Sequence, residues 1–383
     1  MFKKIPLKIF IIWLSSFAAH GQDSLSVRAT LKYLCSEKCY GRGYIRHGLH
    51  QAEKYLCNEI VKSGALPLFD KKYTQQFTHA VNTFPTTPKV KLNGQNLIVG
   101  RDYIPNPGCG SVSGQFTLHK IDSVHYAGEA GNKKVLLNIK KKLTYSVAGE
   151  VKPNGEIDVL KGFAGEPQTM SISIKQKLVK QFKSNNLGCY VKGSSGSDSC
   201  IVFSAHYDHL GGIGKNCYFP GANDNASGVS MVLAMIKHYA QHPPKYNTVF
   251  LFFAGEEAGL LGSKYFVEHP AIDLHKILFL INLDLLGTGD DGIMVVNGAI
   301  HEKAFEKLQQ INARDQRVKQ IKKRGKAANS DHYWFSEAGV PCFFIYTMGG
   351  ISAYHDIDDR EITLPLTAYK SVFSLLLSFV EGL

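Results

Sequence analysis

From Leu187 onward, short apolar runs alternate with helical stretches, and each apolar run stops at a polar cluster. Residues 200–205, 248–254, 277–283, 293–296 and 341–346 read as strands, and 226–239 as an apolar helix. Near-continuous apolar strands separated by helices favour a mostly parallel sheet covered on both faces. The expectation is an α/β fold, a mostly parallel mixed sheet flanked by helices. In such sheets ligands collect beyond the carboxyl ends of the strands.

The polar clusters lie where that rule places a site. His206-Tyr207-Asp208-His209-Leu210-Gly211 follows the first strand, and Gly255-Glu256-Glu257-Ala258-Gly259-Leu260-Leu261-Gly262-Ser263 the second. Asp284 follows Leu283, and a glycine-containing loop after Tyr346 leads to His355. Pro220-Gly221-Ala222-Asn223-Asp224-Asn225-Ala226-Ser227-Gly228 opens the helix between the first two. Charged groups at strand ends are costly unless paired or bound to a metal. Imidazole with carboxylate suits zinc, and two histidines with three carboxylates exceed one ordinary zinc site. They suit two metals that share a carboxylate. Of the adjacent Glu256 and Glu257, one can bind metal while the other takes a proton from the attacking water. Each residue alone is weakly diagnostic, and His209, His238, His242 and His332 read as stray histidines. The joint occurrence in order, each at an element boundary, carries the signal.

The remainder of the 383 residues frames this core. Lys3, Lys4 and Lys8 precede a short apolar run, and Ala19 and Gly21 fit a cleavage site. Residues 1–21 thus read as an export signal, too short to span a bilayer. The expected location is periplasmic or secreted, with no stable membrane insertion after cleavage. Residues 22–79 read as the opening of the catalytic domain, helical over 25–63 with Leu49, Ala52, Tyr55, Leu56 and Ile60 on one face. Residues 80–186 read as a β-rich insertion. There Lys89-Val90-Lys91-Leu92 runs into Asn93-Gly94, a hairpin signal. Residues 187–383 complete the catalytic domain. The eight cysteines are compatible with disulfides in an oxidising compartment, and Cys342, in an apolar run, fits a buried thiol. The formal charge of +12 is not interleaved with aromatic residues as a nucleic-acid platform would be, so no nucleic-acid partner is expected. The basic run 317–326 reads as a solvated face. Nothing in the sequence fixes the oligomeric state.

The motifs His-Tyr-Asp-His-Leu-Gly, Gly-Ala-Asn-Asp-Asn-Ala-Ser-Gly and Glu-Glu-Ala-Gly-Leu-Leu-Gly-Ser resemble those of the co-catalytic zinc exopeptidases. That family includes bacterial leucyl aminopeptidase and aminopeptidase S, with glutamate carboxypeptidase, glutaminyl cyclase and the transferrin receptor ectodomain as relatives. The likeness covers 187 to the C-terminus and the opening Gly41-Arg42-Gly43, and is weak over 80–186. It implies two zinc ions, with His206 and Asp284 on one, Glu257 and His355 on the other, and Asp224 bridging. It implies Glu256 as general base, and Asp208 as the group that orients the His206 ring. Ser330-Asp331-His332 matches a motif beside the site, which gives Asp331 a supporting role. Tyr354-His355 and Asp359 match the closing segment. Asn223 stands where many relatives have Asp. The implied activity is an aminopeptidase acting on peptides with a free N-terminus. A glutaminyl cyclase, a carboxypeptidase or dipeptidase, and a receptor-like binding domain are the alternatives.

Overall fold

A computed structural model describes residues 24–162 and 165–383. The export signal expected at 1–21 lies outside the described residues. The N-terminal helical region consists of two helices, Ser24–Leu34 and Gly48–Ser63. The second buries Leu49, Ala52, Leu56 and Ile60, one face at helical spacing, and stops at Gly64, whose φ of 79° reverses the chain. No helix among the described residues is long and apolar enough to cross a membrane.

The main sheet has nine strands. Its centre is four parallel strands in the spatial order Asn247–Phe253, Cys200–His206, Ile277–Leu283 and Cys342–Thr347. Antiparallel neighbours close both sides, Lys177–Val191 against Asn247–Phe253 and Ile293–Val296 against Cys342–Thr347. Successive side chains of a strand point to opposite faces, and both faces here are apolar. Ile201, Phe203, Phe250 and Phe252 pack under the helix Gly228–Gln241, with its Val229, Val232 and Ile236. Val202, Val249, Leu251 and Phe253 pack on the other face against Phe266 and Phe335, from the helices Leu261–Glu268 and His332–Glu337. Full burial of each such side chain contributes about 1.5–3 kcal/mol over leaving it exposed.

Residues 89–174 build a second sheet of eight strands. Lys89–Leu92 and Gln95–Leu97 pair across Asn93 and Gly94, both at positive φ, as a two-residue hairpin requires. The long strands Thr74–Thr83 and Lys177–Val191 lead into and out of this sheet and pair with each other. Its core also takes in Leu210, Ile213, Cys217 and Phe219 from the segment after His206. All eight cysteine thiols are free, and seven, including Cys342, are buried.

Arg42 joins the opening of the chain to the edge where the polar clusters gather. It is fully buried. Its Nε donates to Tyr207 O at 3.0 Å, Nη1 to Leu34 O (3.3 Å) and Pro220 O (2.6 Å), and Nη2 to Gly221 O (2.9 Å) and Asp224 O (3.1 Å). Five N–H donors thus meet five carbonyls. The flanking glycines let the backbone come close enough. A Cβ on Gly41 would sit 2.1 Å from Gly211 O, and one on Gly43 2.3 Å from Gly211 Cα. Lysine offers three donors and no fork. Arg42→Lys should therefore cost about 3–5 kcal/mol of stability, the range for breaking a buried charged network. Calorimetric unfolding checks this, and a change under about 1 kcal/mol would contradict the bracing role.

Candidate metal centre

The four central strands deliver side chains to one edge of the sheet. His206 is the last residue of its strand, and Asp284 follows Leu283 directly. Glu256 and Glu257 occupy the turn after Phe253, and His355 lies eight residues beyond Thr347. Asp224 sits in the irregular turn Ala222–Ser227 that opens the helix Gly228–Gln241.

Five of these side chains converge on two adjacent clusters. His206 Nε2 lies 3.3 Å from Asp224 Oδ1 and 3.4 Å from Asp284 Oδ2. His355 Nε2 lies 3.1 Å from Asp224 Oδ2 and 3.4 Å from Glu257 Oε2. The two oxygens of Asp224 therefore face different histidines. Each histidine also presents Nδ1 to a backbone carbonyl, His206 to Asp208 O at 3.2 Å and His355 to Tyr145 O at 3.1 Å. A carbonyl only accepts, so Nδ1 carries a hydrogen and Nε2 is the ring atom turned to the carboxylates. Such an arrangement orients a metal-binding imidazole. The carboxylates raise His206 well above the usual histidine range, and His355 to about 9, against the opposing effect of burial. Asp284 Oδ1 is buried without a hydrogen-bond partner among the described residues. Crowded carboxylate oxygens, inward-facing nitrogens and an orphaned oxygen fit divalent cations.

The supporting residues divide the work differently from the sequence expectation. The Asp208 carbonyl is closer to the His206 ring than its carboxylate, whose Oδ1 is 3.7 Å away. The carboxylate accepts from Glu256 N at 3.2 Å, Glu257 N at 3.4 Å and the Tyr44 hydroxyl at 3.3 Å, so it pins the Glu-Glu turn. Asp359 accepts from the amides of Asn223 (2.8 Å) and Asp224 (3.0 Å). Asn223 Oδ1 accepts from Gly287 N at 2.8 Å. Asp331 is buried beside the cluster, and desolvation raises it to about 7, partly offset by His206 and Ser263. Burial, with Glu257, Asp331 and Asp284 nearby, raises Glu256 well above the ordinary carboxylate range against the pull of His206.

His209, a stray histidine on spacing alone, belongs to the centre. It is fully buried, with Nδ1 2.7 Å from Glu257 Oε1 and 3.9 Å from Asp224 Oδ1. Its ring packs on Gly221, where a Cβ would meet it at 2.4 Å. Glu257 is thereby held by one oxygen while the other faces His355. Its signal in the sequence is its place three residues after His206, inside the His-Tyr-Asp-His-Leu-Gly motif, which a strand-end rule does not rank.

Residues 186–380 match the description Peptidase family M28. The chain belongs to this family. Among relatives, it is 26% identical over 216 residues to a vacuolar membrane protease of Candida glabrata, covering 55% of this chain but 21% of that protein. It thus spans about a fifth of that relative's length. It is 24% identical over 284 residues to a probable leucine aminopeptidase 2 of Aspergillus oryzae, covering 64% of this chain and 54% of that one. Among solved structures, a zinc aminopeptidase from Bacillus subtilis superposes with a TM-score of 0.66 at 17% identity, covering 92% and 94% of the two chains. That likeness shows the α/β fold.

Two outcomes follow from the geometry. His209→Ala should weaken zinc binding about 10- to 100-fold, the usual effect of removing a ligand's support. Competition with a chromophoric chelator measures this, and unchanged affinity would remove His209 from the centre. The second concerns pH in the absence of metal. Burial raises Asp331 and Asp359 to about 7 from 3.8, and Glu257 to about 8 from 4.5. Stability tied to their protonated forms is complete below about pH 4 and lost as pH rises through those values. His355, raised to about 9 from 6.5, loses its contribution in the same direction. The melting temperature in EDTA should fall progressively between about pH 4 and 9, and saturating zinc should flatten the profile. A flat profile in EDTA would count against these shifts.

Proposed function

We propose that the chain is an exported zinc-dependent aminopeptidase that removes N-terminal residues from peptides. The observation that carries this reading is Asp224, whose two oxygens face His206 with Asp284 on one side and His355 with Glu257 on the other. That donor set is suited to two zinc ions with Asp224 between them. When bound, such a pair supplies Lewis acidity that favours ionisation of the attacking water and stabilises the developing oxyanion.

The protein's own contribution is positioning and proton transfer. Glu256 offers an oxygen beside His206 and Glu257, and its raised pKa lets it hold a proton between steps. It takes the proton of the attacking water and returns it to the departing amine nitrogen. The main charges around Glu256 and Glu257 are carboxylates and histidines. Arg42 is spent on five carbonyls. This acidic surplus favours an ammonium, the free N-terminus of a peptide, over the carboxylate of a C-terminus.

Zinc-loaded protein incubated with peptides tests the reading by mass spectrometry. The set holds free and acetylated N-termini, amidated C-termini and one peptide that begins with Gln. Stepwise loss of N-terminal residues, blocked by acetylation and indifferent to amidation, is expected. Loss of ammonia from the Gln peptide alone would identify a cyclase, and loss of C-terminal residues a carboxypeptidase. Glu256→Gln should lower kcat about 10²- to 10⁴-fold with zinc content unchanged by elemental analysis. Substantial residual turnover would exclude Glu256 as the base.

A further inference from the structure

Three of the five converging side chains sit at a strand end or in the turn that opens the covering helix, and Glu257 sits in a turn pinned by the Asp208 carboxylate. His355 is different. It lies in an irregular stretch after Thr347, at a positive φ of 54°, with no helix or strand to hold it. Support comes instead from the segment 142–147 of the region between the two long strands. Tyr145 N donates to His355 O at 2.8 Å, and His355 Nδ1 donates to Tyr145 O at 3.1 Å. Lys142 Nζ pairs with Asp356 Oδ2 at 2.8 Å and donates to Ser352 O at 2.8 Å. Leu143 and Tyr145 are buried in the second core. The Tyr145 ring stacks on Phe219, centroids 4.9 Å apart and planes at 6°. Phe219 precedes Pro220 and Gly221, whose carbonyls Arg42 holds.

We propose that the segment 142–147 is a strap that positions His355, so that the second sheet is part of the metal centre. The inference rests on the functional reading above for its zinc arm. The Tyr145 carbonyl fixes the His355 tautomer, and the paired amide fixes the height of the loop. The Lys142–Asp356 pair holds the loop on its far side, while the Tyr145–Phe219 stack keeps the strap in register with the loop that carries Asp224. A ligand on an unsupported loop would cost ordering entropy at each binding event. The strap meets that cost during folding.

Zinc affinities of Tyr145→Ala, Tyr145→Phe and Lys142→Ala, by chelator competition, form the test. Tyr145→Ala should weaken one zinc, the one His355 would hold, about tenfold or more and leave the other within about threefold, whereas Tyr145→Phe should bind as the parent does. Lys142→Ala removes a side chain that is 46% exposed and leaves the core intact, so it serves if Tyr145→Ala does not fold. It should weaken the same zinc by about threefold or more. A second arm needs no metal. In zinc-free protein labelled with ¹⁵N-histidine, His355 should show a protected Nδ1–H in the parent, lost or fast-exchanging in Tyr145→Ala and Lys142→Ala. Unchanged affinities and unchanged His355 protection in both variants would overturn the strap. A parent protein that binds a single zinc would overturn the two-metal reading, and the imidazole spectra would still decide the strap.

Discussion

The centre depends on how the loop bearing Asp224 is held. Arg42 takes the carbonyls of Pro220, Gly221 and Asp224, and Asp359 takes the amides of Asn223 and Asp224. A buried guanidinium and a buried carboxyl thus grip opposite polarities of one backbone. The two do not pair directly with each other among the described residues, so Asp359 accepts from the loop's amides while Arg42 gives the loop three of its five hydrogen bonds. The cost of burying these groups is large, and the return is a loop with little freedom. Asp224 can then present one oxygen to each histidine, an arrangement that a mobile side chain would average away.

Repulsion within the centre is a condition of its chemistry. Glu256, Glu257 and Asp331 are all raised by burial and by neighbouring carboxylates, while His206 and His355 are raised by those same carboxylates. Protons therefore stand in for missing positive charge. Divalent cations would displace them, which couples metal uptake to proton release. The Asp208 carboxylate, by accepting the amides of Glu256 and Glu257, keeps that turn closed despite the repulsion.

Much of this arrangement is legible in the amino-acid sequence. The four central strands are apolar through their length because both faces are covered, and their ends show as abrupt changes to His206, Glu256, Glu257 and Asp284. Asp224 stands out because a glycine- and asparagine-rich stretch precedes a plainly apolar helix. What escapes the sequence lies off the strands. His209 matters through a side-chain hydrogen bond to Glu257, which no periodicity encodes. Tyr145 acts through its backbone, so its identity carries almost no trace of its contact with His355. Arg42 stands out only as part of a motif, and four of its five carbonyl partners come from segments far along the chain that only the fold brings to it. The eight cysteines leave disulfides open on count alone, whereas the chain holds them as free thiols.

The second core takes Leu210, Ile213, Cys217 and Phe219 from the segment that follows His206. The two sheets therefore have no clean seam. A cut on either side of residues 89–174 would strip the floor from under the loop between His206 and Asp224. The region cannot be exchanged as a module, as an appended domain can. A change in its core side chains is felt directly by the segment that follows His206, and so by the edge where the polar side chains converge.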